Sequence, residues 1–69
     1  MIDPRIKEWL QDHKDGSFLL CQAMRAGVWQ WFCKMSTNNW TGLRYDGTPD
    51  MAIEHVLNQW DEAVKGRAA

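Results

Sequence analysis

The sequence predicts an all-α fold: a small three-helix domain built around a long central helix, residues 17–35, bent at Gly27. Three observations lead there. Apolar residues recur at four-residue spacing through that stretch, at Leu19, Leu20, Ala23, Met24, Gly27, Val28, Trp31, Phe32 and Met35. Two further segments open with helix-start signatures, Asp3-Pro4 and Thr48-Pro49. Between the centre and the third helix lies a polar stretch, residues 36–48, rich in Asn, Ser, Thr, Gly and Asp, which reads as a long loop.

The first helix is expected over residues 4–14. Asp3 serves as its N-cap and Pro4 as its first residue, with Ile6, Trp9, Leu10 and His13 on the inner face. Glu8 and Asp12 lie one turn apart on the outer face beside Arg5 and Lys7, a solvated charged surface rather than an acid/base pair. Asp15-Gly16 breaks the chain, and Ser17 is the expected cap of the central helix.

The apolar face of that central helix drifts by about 40° every four residues, because a period of four overshoots 3.6. Its polar side therefore shifts across Gly27, so either the helix bends there or its two halves pack against different things. Val28 to Phe32 alone shows the alternation and aromatic content of a strand, and stands as the alternative for that piece.

The third helix is expected over residues 49–65. Thr48 caps it and Ile53, Val56, Leu57, Trp60 and Val64 form its inner stripe. Gly66 ends it and residues 66–69 fray. Residues 1–69 thus form one domain, with Leu20, Trp31, Phe32, Ile53, Leu57 and Trp60 as its expected core.

Composition narrows the function. The net charge of −1 gives no general attraction to nucleic acid or membranes. The apolar run is interrupted by Gln22, Arg25 and Gln30, so it is not a membrane span, and the acidic start has no signal-peptide character. A cytoplasmic protein is expected. Cys21 and Cys33 lie about 18 Å apart on a continuous helix, too far for a disulfide, so two free thiols are expected. His13, Cys21, Cys33 and His55 show no metal-site spacing, so neither a metal nor a cofactor is expected. No nucleophile, base and orienting group recur in a catalytic pattern, so an enzyme is not expected.

What remains is an aromatic excess: five tryptophans in 69 residues. Trp9, Trp31 and Trp60 suit a small core. Trp29 and Trp40, with Arg25, Arg44 and Tyr45, have the composition of a protein interface. The expected function is a small non-catalytic protein-protein interaction module, an inhibitor or adaptor of a host protein of the kind phages and mobile elements carry. Nucleic-acid binding or a transcriptional accessory role is the alternative, disfavoured because no expected helix carries a basic face. A central helix apolar all round also predicts a homodimer that buries Trp29, the competing outcome being a monomer in which the 36–48 loop folds over that face.

Overall fold

The computed structural model describes residues 3–68, with side chains through residue 66. It is an α+β fold. Helix α1 (Pro4–Asp12) is followed by strands β1 (Ser17–Arg25), β2 (Val28–Thr37) and β3 (Trp40–Asp46), then helix α2 (Pro49–Ala68). The strands form one antiparallel sheet in the order β1-β2-β3. The all-α helical bundle expected from the sequence is therefore incorrect. The expected central helix 17–35 is two strands, and the expected loop 36–48 contains a third.

The turn between β1 and β2 shows why. Ala26 and Gly27 both adopt positive φ, 53° and 77°. Two consecutive left-handed residues make the type I′ turn whose twist matches an antiparallel hairpin. Arg25 then pairs with Val28, and the ladder runs back to Ser17 opposite Ser36. Gly27 is the pivot of a reversal, not of a bend. Asn38 and Asn39 make a second two-residue connection, and Thr37 pairs with Trp40.

Cross-strand partners share a face. One face carries Phe18, Leu20, Trp31, Cys33, Met35, Trp40 and Gly42. Both helices pack on it. The buried core joins Cys33 and Met35 of β2 to Ile6 and Trp9 of α1 and to Ala52, Ile53 and Val56 of α2. Leu20, Trp31, Leu57 and Trp60 flank this core, each partly buried. Phe32, expected inside, belongs to the opposite face.

The helix starts follow the sequence. Asp3 caps α1, its Oδ1 accepting from Arg5 N at 2.8 Å. Thr48 caps α2, its hydroxyl accepting from Met51 N at 3.2 Å. The ends differ: α1 stops at Asp12, and α2 continues through Gly66 to Ala68, so the expected stop is absent. The expected frayed tail falls partly on residue 69, outside the described residues.

At one end of the helix side sits an aromatic cluster. Trp9 stacks on His13 at 4.7 Å and meets Trp60 edge-on at 5.7 Å, while Trp40 meets Trp60 at 5.1 Å. His13 Nδ1 donates to the Trp9 carbonyl at 2.8 Å, and its ring also meets Trp60 edge-on at 4.7 Å. Trp9 Nε1 is buried without a hydrogen-bond partner among the described residues. Such a group costs about 1–3 kcal/mol, which the large buried rings offset.

Both thiols are free, for a different reason than helical distance. Cys21 pairs with Phe32 and Cys33 with Leu20, so the two cysteines lie on adjacent strands, one residue out of register. Their side chains point to opposite faces. Cys33 is fully buried, and burial pushes its thiol up to about 11. Cys21 is exposed. Ellman's reagent on the native chain should therefore titrate one thiol rapidly and the second only on unfolding; two rapidly reacting thiols would contradict this packing.

Candidate functional site: an uncovered sheet face

Among the described residues, no helix lies over the opposite face of the sheet. Register places Leu19, Cys21, Ala23 and Arg25 of β1 there, with Val28, Gln30, Phe32 and Lys34 of β2 and Thr41, Leu43 and Tyr45 of β3. Leu19, Val28 and Leu43 are about half exposed, at 50%, 56% and 47%. Exposed apolar side chains on a face without a covering helix are a mark of interaction sites. Alternation explains how it arises. A half-buried strand normally has polar residues on its outer side, whereas β1 places Leu19, Cys21 and Ala23 there.

An aromatic–cation group stands on this face. Phe32 and Tyr45 are direct cross-strand partners, their rings 4.8 Å apart. The Arg25 guanidinium lies over the Tyr45 ring at 4.5 Å, which holds a long side chain across the strands. Arg25, Gln30, Tyr45, Arg44 and Gln59 line an open cleft of about 490 Å³ that runs around the β3 edge. No acidic residue lines it. Among the described residues, the ionisable groups that register places on the open face are Arg25, Lys34, Cys21 and Tyr45, with no carboxylate. The face is positive although the chain is not.

Of the residues singled out by sequence, the structure gathers Arg25, Arg44 and Tyr45 at this cleft. Trp40 is elsewhere, partly buried in the aromatic cluster. Trp29 is 64% exposed near the hairpin tip, opposite Met24 and on the helix side, beyond the reach of the helices. Leu43 is exposed on the open face, while Trp40, on the other face of the same strand, packs against the core. Sequence reasoning missed Phe32, Leu19 and Val28, which were assigned to a helix whose faces do not exist. The signal was the alternation in Val28 to Phe32.

Behind the cleft, Asp46 ties β3 to α2. His55 Nδ1 donates to Asp46 Oδ2 at 2.6 Å, and Arg44 Nε donates to the same oxygen at 3.1 Å. The pair was not foreseen, because His55 and Asp46 meet only when β3 lies under α2. The His55 hydrogen bond, with Arg44 second, holds the Asp46 carboxyl below the usual carboxylate range. Asp3, bonded to Arg5, is lowered in the same direction. A carboxylate with a lower pKa folded than unfolded stabilises the fold above its unfolded pKa, about 3.9 for Asp. That contribution is lost as the pH falls through the folded pKa. The urea midpoint should hold near pH 5 and drop in stronger acid, and Asp46→Asn should flatten part of the drop. An unchanged acid limb in Asp46→Asn would show that the bond has no energetic role.

The fold and face together define a class: a small α+β domain with a two-helix layer on one side of a three-stranded sheet and an apolar, cationic face on the other. No protein-family model, curated protein or solved structure matches the chain. Among the described residues, no helix is long and apolar enough to cross a membrane.

Proposed function

We propose that this chain is a non-catalytic protein-binding module acting in the cytoplasm, and that its partner docks on the open sheet face. The observation that carries the reading is the absence of any covering layer over Leu19, Val28 and Leu43 among the described residues. The chemistry of the face describes the partner. It presents apolar side chains to the centre of the sheet and acidic groups to Arg25, Lys34 and the Arg44 side of the cleft. The sequence composition that points to an adaptor or inhibitor supports the same reading, as do free thiols for the compartment. The Asp46–His55 pair is read as structural, since Arg44 and His55 together engage a single carboxylate oxygen.

The test is capture of a partner from the native host by the tagged chain. Leu43→Asp and Val28→Asp should each abolish capture, with the circular dichroism spectrum kept. Val64→Asp, on exposed α2 surface, should leave it intact. Capture that survives both sheet-face variants would contradict the reading.

A second reading rests on Phe32, Tyr45 and Arg25, which resemble a stacking platform for single-stranded nucleic acid. Fluorescence anisotropy with labelled oligo-dT and oligo-U separates the two. Binding that weakens steeply with salt and is lost in Tyr45→Ala supports nucleic acid; no binding at tens of micromolar leaves the protein partner.

A further inference from the structure

We infer that the chain forms a two-fold dimer by pairing β1 with β1 of a second copy, which joins two sheets into one of six strands. β1 is an edge strand of nine residues, Ser17–Arg25. Natural edges of this length are usually guarded by lysine, proline or a bulge. The interior of β1 has no charged residue and no proline, and its ladder with β2 is unbroken from Ser17 to Arg25.

The free main-chain groups can be assigned. A two-residue type I′ loop closes on a hydrogen-bonded pair, here Arg25 with Val28. Hydrogen-bonded pairs then alternate along the ladder, at Ala23, Cys21, Leu19 and Ser17. The N–H and C=O of Phe18, Leu20, Gln22 and Met24 therefore point away from β2. Among the described residues, no hydrogen bond within the chain reaches them.

Self-pairing satisfies all of them in one register. A two-fold axis through Cys21 sets Leu20 against Gln22 and Phe18 against Met24, all from the outward-pointing set. On the open face it sets Leu19 against Ala23, so apolar meets apolar. Arg25, the only charge on the strand, falls opposite Ser17, and the axis brings no two like charges together. Moving the register by two residues places Arg25 against Leu19 or leaves Arg25 beyond the paired region. Moving it by one puts the wrong faces together. The axis stands perpendicular to the sheet, so both helix layers lie on one side and the two open faces become continuous on the other. The strand is thus complementary to itself, which is why a second copy, rather than a foreign strand, is the occupant.

The register has a reporter. Cys21 lies on the axis at a non-hydrogen-bonded position, where opposed Cα atoms are about 4.5 Å apart. That separation is within disulfide range. Diamide, as oxidant, accepts two electrons and two protons from the two thiols as the S–S bond forms.

Sedimentation of the intact chain at tens of micromolar should give twice the 8.1 kDa chain mass. Diamide should convert the dimer to a covalent one, while Cys21→Ser stays dimeric without cross-linking. Cys21→Lys sets two ammonium groups on the axis, and Gln22→Pro removes an outward N–H without touching the β2 ladder. Both should sediment at single-chain mass with their helical spectrum kept. Trp29→Asp should remain dimeric. In the unaltered chain, the amides of Phe18, Leu20, Gln22 and Met24 should be protected from hydrogen exchange. A wild-type chain of single mass with fast exchange at those amides would overturn the proposal and leave the edge to a partner's strand. So would a dimer that survives both Cys21→Lys and Gln22→Pro, or one that Trp29→Asp dissociates.

Discussion

Gly42→Val should destabilise the fold by about 3 kcal/mol, the upper end for overpacking a filled core. Gly42 looks like a loop glycine in the sequence, but it sits in the middle of β3, buried beneath α2 and the Trp40 ring. A Cβ there would lie 2.5 Å from Trp40 Cζ2, 2.7 Å from Trp40 Cη2 and 2.8 Å from Gln59 Oε1. Either the indole or α2 must move. Moving the indole breaks its contacts with Trp60 and Trp9. Moving Gln59 lengthens the bond its Nε2 donates to the Leu43 carbonyl, 3.0 Å long. Neither adjustment is local. A domain of this size has only a few kcal/mol in hand, so urea melts should show a large fraction of Gly42→Val unfolded at low denaturant. A midpoint close to wild type would mean that Trp40 does not occupy this position.

Met35→Ala should cost about 2–5 kcal/mol. Met35 is fully buried in the middle of the sheet, paired with Phe18 on one side and Gly42 on the other. Because Gly42 has no side chain, the space beside Met35 cannot be refilled from β3. The cavity then stays open, and the cost belongs in the upper half of that range. Leu57→Ala, at a partly buried position, should cost less. The reverse order in equilibrium urea melts would place the centre of the core on α2 rather than on β2.

The capped helices were legible in the sequence, and the central half of the chain was not. Asp3-Pro4 and Thr48-Pro49 act locally, through a side-chain oxygen and a fixed φ, so their meaning survives any tertiary context. The apolar recurrence in residues 17–35 does not. A spacing of four is an even number, so Leu20 and Met24, or Trp31 and Met35, share a face in a strand as well as in a helix. Only a spacing of three separates the two, and it is weak here. The drift that seemed to demand a bend at Gly27 was the mark of the wrong period. The alternation that would have corrected it was hidden because the outer face is apolar too. The feature that misled the reading is thus the proposed function: a sheet with an ordinary polar outer face would have been read as strands. Arg25 and Tyr45, twenty residues apart, were grouped by composition, and the β2 ladder between them supplies the reason they meet.

The most direct test of an uncovered apolar sheet face is solvent paramagnetic relaxation of the methyl groups in the free chain. A soluble, uncharged gadolinium chelate broadens each methyl according to its distance from solvent. The methyls of Val28 and Leu43 should broaden strongly, while those of Ile6, Ile53 and Val56, all buried, stay sharp. Val28 and Leu43 methyls as sharp as those of the core would mean that the face is covered, and would remove the docking surface.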